Sequence, residues 1–218
     1  MIDFSWIAVS APAIVGLLVA HLVLSVVPVL IGLALAIPVG WFAYGVPVLR
    51  TLILGVSGVL YTVPSLALFV LLPRIIGTRI LDPMNVVVAL AVYAFALLVR
   101  TVVDGLGSVS PEARQAAEAM GYRRLGRFLT IELPIATPVV LAGLRVATAS
   151  AVSIVSVASL IGIDQLGSLF TQGMQLQFVT PIVVGIVLCL LLAVCLDGLI
   201  LLADRLLTPW RRRSGATA

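Results

Sequence analysis

Residues 111–138 read PEARQAAEAMGYRRLGRFLTIELPIATP, and the rest of the chain is understood outward from this stretch. It carries Arg114, Arg123, Arg124 and Arg127, four of the thirteen arginines in a chain that has no lysine. Long, nearly uncharged apolar runs lie on both sides of it. Ser110 is suited to cap a helix, Pro111 to its first position, and Glu112 to the positive end of the helix dipole. Ala113, Ala116 and Ala117 are strong helix formers, and their small side chains let another surface come close. Gly121 breaks that helix, YRRLGRF sets arginines and aromatics around the break, and IELP turns the chain back into the next apolar run. Two readings fit these residues: a compact docking element, or an ordinary amphipathic surface loop.

Of the 218 residues, 62% are hydrophobic and 10% are charged. A soluble domain of this length needs more polar surface. Apolar runs of about 18 residues or more are long enough to cross a bilayer. The class is therefore an all-α integral membrane protein. A β-barrel would show alternating segments of about ten residues, and none is visible. The length leaves no room for a separate soluble domain, so residues 1–218 are read as one transmembrane domain. The first ten residues lack a basic start and contain Asp3, unlike a cleavable signal.

Five spans are expected, at 20–44, 51–72, 84–106, 135–161 and 180–206. The first contains Pro28 and Pro38, the second is interrupted by VPS at 63–65, and the third follows Asp82 and Pro83, a cap and first-turn pair. Residues 2–19 form a shorter apolar stretch broken by Asp3, Ser10 and Pro12, read as an interfacial helix, with a sixth span as the alternative. An N-terminus outside puts Arg50, Arg100, Arg114, Arg123, Arg124, Arg127, Arg205, Arg211, Arg212 and Arg213 on the inner side. Only Arg74 and Arg79 then lie on the outer side. That bias sets the N-terminus out, the C-terminus in, and the loop at 110–134 in the cytoplasm. Topology thus accounts for the net charge of +4, and nucleic acid is not implied. Cys189 and Cys195 are six apart on one helix, a separation of roughly 9 Å. That is too far for a disulfide, and both are read as buried, small apolar residues.

The block resembles the cytoplasmic loop of binding-protein-dependent ATP-binding-cassette (ABC) importer permeases. Its pattern is EAA, three residues, Gly, nine residues, then I-x-L-P. Here Gln115, Ala116 and Ala117 fill the first positions, Gly121 follows at the expected spacing, and Ile131, Leu133 and Pro134 close the pattern. Gln115 stands where the family has glutamate, which bears on any charge-based contact there and not on the helix. TVPSLALFVLLP at 62–73, AGLRVATA at 142–149 and LIGIDQLGSLFTQGM at 160–174 resemble the osmoprotectant branch, whose substrates are glycine betaine, choline, carnitine and related quaternary ammonium compounds. The methionine-type permeases share the small five-span core and are the nearest alternative.

The resemblance implies a permease subunit in the bacterial cytoplasmic membrane, with two cytoplasmic ATPase subunits that bind ATP and Mg. It also implies an extracytoplasmic substrate-binding protein. In the family, the loop at 110–134, with Glu112 in its first turn, docks in a groove of the ATPase. Five spans are too few to seal an alternating pathway, so a second permease subunit, identical or paralogous, is expected about a two-fold axis.

No G-x-x-x-x-G-K-[ST] phosphate loop occurs, so ATP hydrolysis is assigned to another subunit and no cofactor or enzymatic role to this chain. His21, the single histidine, offers no metal cluster and reads as a polar residue at an interfacial helix start. No Ser, His and acid set suggests hydrolysis. An ATP-independent channel, a secondary carrier and a membrane scaffold are the rivals from other classes, and none explains the spacing from Gly121 to Pro134. The intramembrane ionisable groups are Arg145 and Asp197, with Asp104 near an inner end. Arg145 and Asp197 each lie about ten residues, or roughly 15 Å, from the inner ends of their spans. They are read as an ion pair locking the fourth and fifth spans, or as two side chains that snorkel independently. Thr148, Ser150, Ser153, Ser156 and Ser159 follow one another on the fourth span, as a polar pathway wall or as small-residue packing. Tyr61, Tyr93 and Phe95 offer faces to a quaternary ammonium, or simply pack.

Overall fold

The computed structural model describes residues 2–210, and every regular element among them is helical. Arg211, Arg212 and Arg213 of the basic tail lie outside the described residues. Helix α1 (Phe4–Tyr44) is capped by Asp3, whose carboxylate accepts from the Ser5 and Trp6 amides at 2.9 and 3.1 Å. Its 41 residues make about 60 Å of helix, longer than a bilayer with its headgroups. The stretch at 2–19 is therefore not a separate interfacial helix but the first half of α1. Ile14, Leu17 and Leu18 pack there against Leu169, Val184 and Leu188, far away in sequence. The Asp3 amide also donates to Thr180 Oγ1 at 3.0 Å. These contacts carry the helix through Pro12.

The expected span at 51–72 is two helices, α2 (Pro47–Thr62) and α3 (Ser65–Ile76), bent by 105°. Pro64 has no amide hydrogen and pushes Val63 into extended backbone, so the helical ladder stops there. Neither piece has the roughly 20 residues a straight crossing needs. Gly77 closes α3 in the left-handed region, and Asp82 caps α4 (Pro83–Gly107) by accepting from the Met84 amide at 2.9 Å.

Helix α4 is the centre of the bundle, packed on α1, on α2 and α3, and on α7 (Leu133–Val155). Small residues permit the close approach of α1. A Cβ on Gly32 would sit 2.7 Å from the Ala94 methyl and from the Phe95 amide, and one on Gly40 would sit 2.6 Å from Val102. Ala36 and Ala43 continue that stripe, both fully buried. Interfaces of small residues are how helices gain packing where water supplies no hydrophobic drive. The core runs from Val29 and Ala36 through Leu98, Val99 and Val102 to Leu144 and Ala147.

Helix α5 (Pro111–Ala119) and the single turn α6 (Arg124–Arg127) form the loop, followed by a wide π turn over Phe128–Glu132 that runs straight into α7. IELP therefore does not turn the chain. Pro134 cannot donate to a carbonyl one turn back, and the helix widens before it instead of breaking. The fourth membrane helix consequently extends over Arg124–Ile161, earlier than expected, and ends as a 3₁₀ stretch, Ser156–Ile161. Helix α8 (Ser168–Gln175) packs on α9 (Val179–Leu207). Helices α4 and α9 each exceed the expected third and fifth spans by one residue at either end. Among the described residues four helices are long and apolar enough to cross a membrane, or five if the bent pair is one span.

Candidate functional site

The loop at 110–134 is shaped by its caps. The Ser110 hydroxyl accepts from the Ala113 amide at 3.2 Å, with Pro111 in the first turn. Glu112 is exposed there, and its own backbone amide and the Ser110 hydroxyl hold its carboxyl below the usual range. At the other end Gly121 has φ +80°, and a Cβ there would meet nothing within 4 Å. The Gly121 amide donates to Glu118 O at 2.9 Å and the Tyr122 amide to Ala117 O at 3.1 Å, the paired bonds of a glycine-closed helix end. Gln115 and Ala116 are exposed, Ala117 is buried, and Ile131, Leu133 and Pro134 are half-buried at the start of α7. Met120, Tyr122, Leu125 and Leu129 stand exposed around the break. This apolar rim lies outside the EAA pattern; MGYRRLGRFL carries its signal, once Arg124 and Arg127 are seen to be partnered by Trp41, Glu118 and Glu132.

Two loop arginines, Arg114 and Arg124, and Arg50 of α2 lie over aromatic rings at the end of α1. Arg114 lies 4.7 Å and Arg50 5.9 Å from the centre of the Tyr44 ring, and Arg124 lies 5.3 Å from that of Trp41. Trp41 stacks on Phe128 at 4.8 Å. Cation–π contact thus joins the loop to α1. Arg127 pairs with both Glu118 and Glu132. Sequence reasoning passed over Glu132, the variable residue inside I-x-L-P, which the structure buries.

The remaining candidates fall in three places. Tyr61 and Tyr93 meet edge to face at 6.0 Å and, with Ser150, line a small cleft between α2, α4 and α7. Tyr61 is exposed, whereas Tyr93 is buried and its hydroxyl donates to the Val63 carbonyl freed at the α2–α3 break. Phe95 packs against the core. The hydroxyls of α7 do not make one wall. Thr148 is buried towards α1 and α9, while Ser153 and Ser156 face Phe170 and Cys189 on another side, because helical rotation carries successive positions around the axis. Ser159 bonds back to the Ser156 carbonyl at 2.9 Å. Of the two thiols, Cys189 is half-buried and Cys195 is exposed, so the expectation of two buried thiols is corrected; α9 shows most of its surface outward.

Arg145 and Asp197 form a two-point ion pair between α7 and α9, Nε to Oδ1 at 2.6 Å and Nη2 to Oδ2 at 2.9 Å. His21 is not an interfacial residue at a helix start. It is wholly buried midway along α1, its ring nitrogens 2.9 Å from Gln165 Oε1 and 3.0 Å from the Val152 carbonyl oxygen. Gln165 Oε1 also accepts from the Gly167 amide at 2.5 Å, and Gln165 Nε2 donates to the Ser156 carbonyl at 3.3 Å.

Comparison with known proteins agrees with this architecture. Residues 30–209 match the family described as binding-protein-dependent transport system inner membrane component. The osmoprotectant import permease protein OsmW of Salmonella typhimurium is 30% identical over 87% of this chain and 89% of its own. The choline transport system permease protein OpuBB of Bacillus subtilis is 28% identical over 87% of this chain and 86% of its own. A solved inward-facing MetNI methionine ABC transporter chain superposes with a TM-score of 0.71, at 22% identity, over 89% of this chain and 94% of that one, which bears on the fold alone. The helical bundle, the glycine-closed loop and these matches together place the chain in the family of binding-protein-dependent transport system inner membrane components, as a membrane-embedded transport permease.

Proposed function

We propose that this chain is the permease subunit of an ATP-driven importer for quaternary ammonium osmoprotectants such as glycine betaine, choline or carnitine. The observation that carries the reading is the similarity to osmoprotectant and choline permeases over 87% of the chain. Two copies, or this chain and a paralogue, line the pathway. Two ATPase subunits bind ATP and Mg on the cytoplasmic side, and a substrate-binding protein delivers cargo from the other side. The loop at 110–134 is the coupling element: Gln115, Ala116 and the exposed rim at Met120, Tyr122, Leu125 and Leu129 face the ATPase. The exposed ring of Tyr61, backed by Tyr93 and Ser150, offers a π face to a passing ammonium group. The ion pair of Arg145 and Asp197 locks α7 to α9 so that they move as one body.

The test is reconstitution with a partner ATPase and binding protein, and uptake of labelled choline, glycine betaine, carnitine and methionine. ATP-dependent uptake of the ammonium compounds is expected; uptake of methionine alone would overturn the substrate class. The coupling assignment is tested by Gly121→Leu. The space at Gly121 is open, so the substitution leaves packing intact. It strains the left-handed backbone by about 1–2 kcal/mol and sets a side chain on the docking face. Loss of uptake with assembly retained is expected, and wild-type uptake would remove the loop from the mechanism.

A further inference from the structure

One carboxylate joins the loop to the bundle. Glu132 is 4% exposed, the last residue of the π turn and immediately before α7. Its Oε1 accepts from Arg127 Nε at 2.8 Å. Arg114 reaches it from α5. Arg114 Nη1 donates to the Tyr44 hydroxyl at 2.7 Å and Nη2 donates to the Leu106 carbonyl, so two of its nitrogens are fixed to the ends of α1 and α4. The third, Nε, is buried and has no hydrogen-bond partner among the described residues. Its nearest carboxylate oxygen is Glu132 Oε1, at 3.6 Å.

That gap is the unusual feature. A buried guanidinium N–H is almost always bonded, and a shift of about half an ångström would bring this one within range of a charged acceptor. Helix α5 has little other purchase on the bundle, since Ala117 is its buried residue and its remaining side chains face outward or lie half-covered. Displacement of α5 therefore reaches the bundle through the Arg114 fork and, by way of the Glu118–Arg127 pair, through Arg127, which also carries displacement of α6. Both arrive at Glu132, which is covalently continuous with α7.

We propose that Glu132 is the positioning residue that passes movement of the coupling loop to α7, and that the Arg114–Glu132 hydrogen bond closes when an ATPase subunit seats against α5. This rests on the reading of residues 110–134 as the coupling loop. A two-state contact at the junction of the moving element and the span is what mechanical coupling requires.

The experiment uses the reconstituted complex and measures substrate imported per ATP hydrolysed. Glu132→Gln keeps the shape and removes the charge. Arg114→Lys keeps the charge and removes the planar fork that reaches Tyr44, Leu106 and Glu132 together. Each is expected to lower the ratio at least about fivefold in complexes that still assemble. The double variant is expected to be no worse than Glu132→Gln alone, because the Arg114 route to α7 already ends at Glu132. A purely structural role would reduce the amount or thermal stability of the complex and leave the ratio of import to hydrolysis unchanged. An unchanged ratio, or losses that multiply in the double variant, overturns the proposal. If Glu132→Gln does not assemble, Arg114→Lys alone decides. Gly121→Leu runs alongside. If it too leaves the ratio unchanged, the coupling reading itself fails; if it uncouples while the Glu132 and Arg114 variants do not, only this inference fails.

Discussion

Two polar clusters interrupt the apolar bundle, and they are built differently. At the loop end, Arg114, Arg127, Glu118 and Glu132 are long charged side chains, part-exposed except for Glu132. At the far end, His21 and Gln165 are short-reaching groups, both wholly buried, and their partners are mostly backbone: the Val152 and Ser156 carbonyls and the Gly167 amide. Charges on long side chains keep most of their attraction over a few tenths of an ångström, so the loop end tolerates movement. Bonds to backbone inside a dry core are lost when geometry shifts, and the groups left behind find no water. The far cluster also ties α1, the end of α7 and the segment before α8 at one point. The difference teaches where this permease can move and where it cannot: α7 is pinned at its 3₁₀ end and adjustable at its π-turn end.

Gln165→Leu tests the pinned end and has the largest expected effect. It strands the Ser156 carbonyl, the Gly167 amide and one face of His21, each worth about 1–3 kcal/mol when buried without a partner. A fall in the thermal midpoint of the purified protein, corresponding to roughly 3 kcal/mol or more, is expected. Import per assembled complex should change little. A variant as stable as wild type would erase the contrast between the two ends.

The pair of Arg145 and Asp197 lies between these extremes, charged like the loop end and interhelical like the far end. Neutralising either residue should reduce uptake by stranding its partner among apolar helices. Arg145→Asp combined with Asp197→Arg should restore uptake lost in each single change. Absence of rescue would mean that the two charges act separately. A smaller effect is expected of Tyr93→Phe, which removes the hydroxyl's bond to the Val63 carbonyl at the α2–α3 break. The cost should be about 1 kcal/mol in stability, read as faster hydrogen exchange at residues 62–66. If exchange there is unchanged, the break is held by Pro64 alone.

Much of this was legible in local signals. The caps at Asp82 and Ser110, the prolines beside them and the bend at Gly121 announce themselves within four residues, and the apolar runs of α4 and α9 delimit themselves. What stayed hidden was decided by residues distant in sequence. His21 looked interfacial because its partner Gln165 lies 144 positions away. Helix α1 looked broken because Pro12 is local, whereas the packing of Ile14 on Leu169 is not. VPS marked an interruption, yet proline alone does not say whether a chain kinks or turns through 105°. Glu132 was visible but silent, since the pattern around it speaks through Ile131, Leu133 and Pro134, and only the fold brings Arg114 to it.

The mildest prediction concerns the loop end's response to pH. Glu112 lies in the first turn of α5 with its carboxyl below the usual range, held there first by its own amide and then by the Ser110 hydroxyl. A folded value below the unfolded one means that the carboxylate stabilises α5 fully above the unfolded value. That contribution is lost as pH falls through the folded one. The unfolded value is about 4.3, so α5 should keep this support across neutral pH and shed it only in acid. Glu112→Gln removes it at every pH. Hydrogen exchange of the amides at residues 113–117 should therefore be slightly faster in Glu112→Gln than in wild type at pH 7. The two should converge as pH is lowered below the folded value. The group is fully exposed, so solvent screening keeps the difference small. Exchange that is identical at pH 7 would show that Ser110 and Pro111 alone set the start of α5. A difference that widens in acid would mean that Glu112 is held by something other than the helix end.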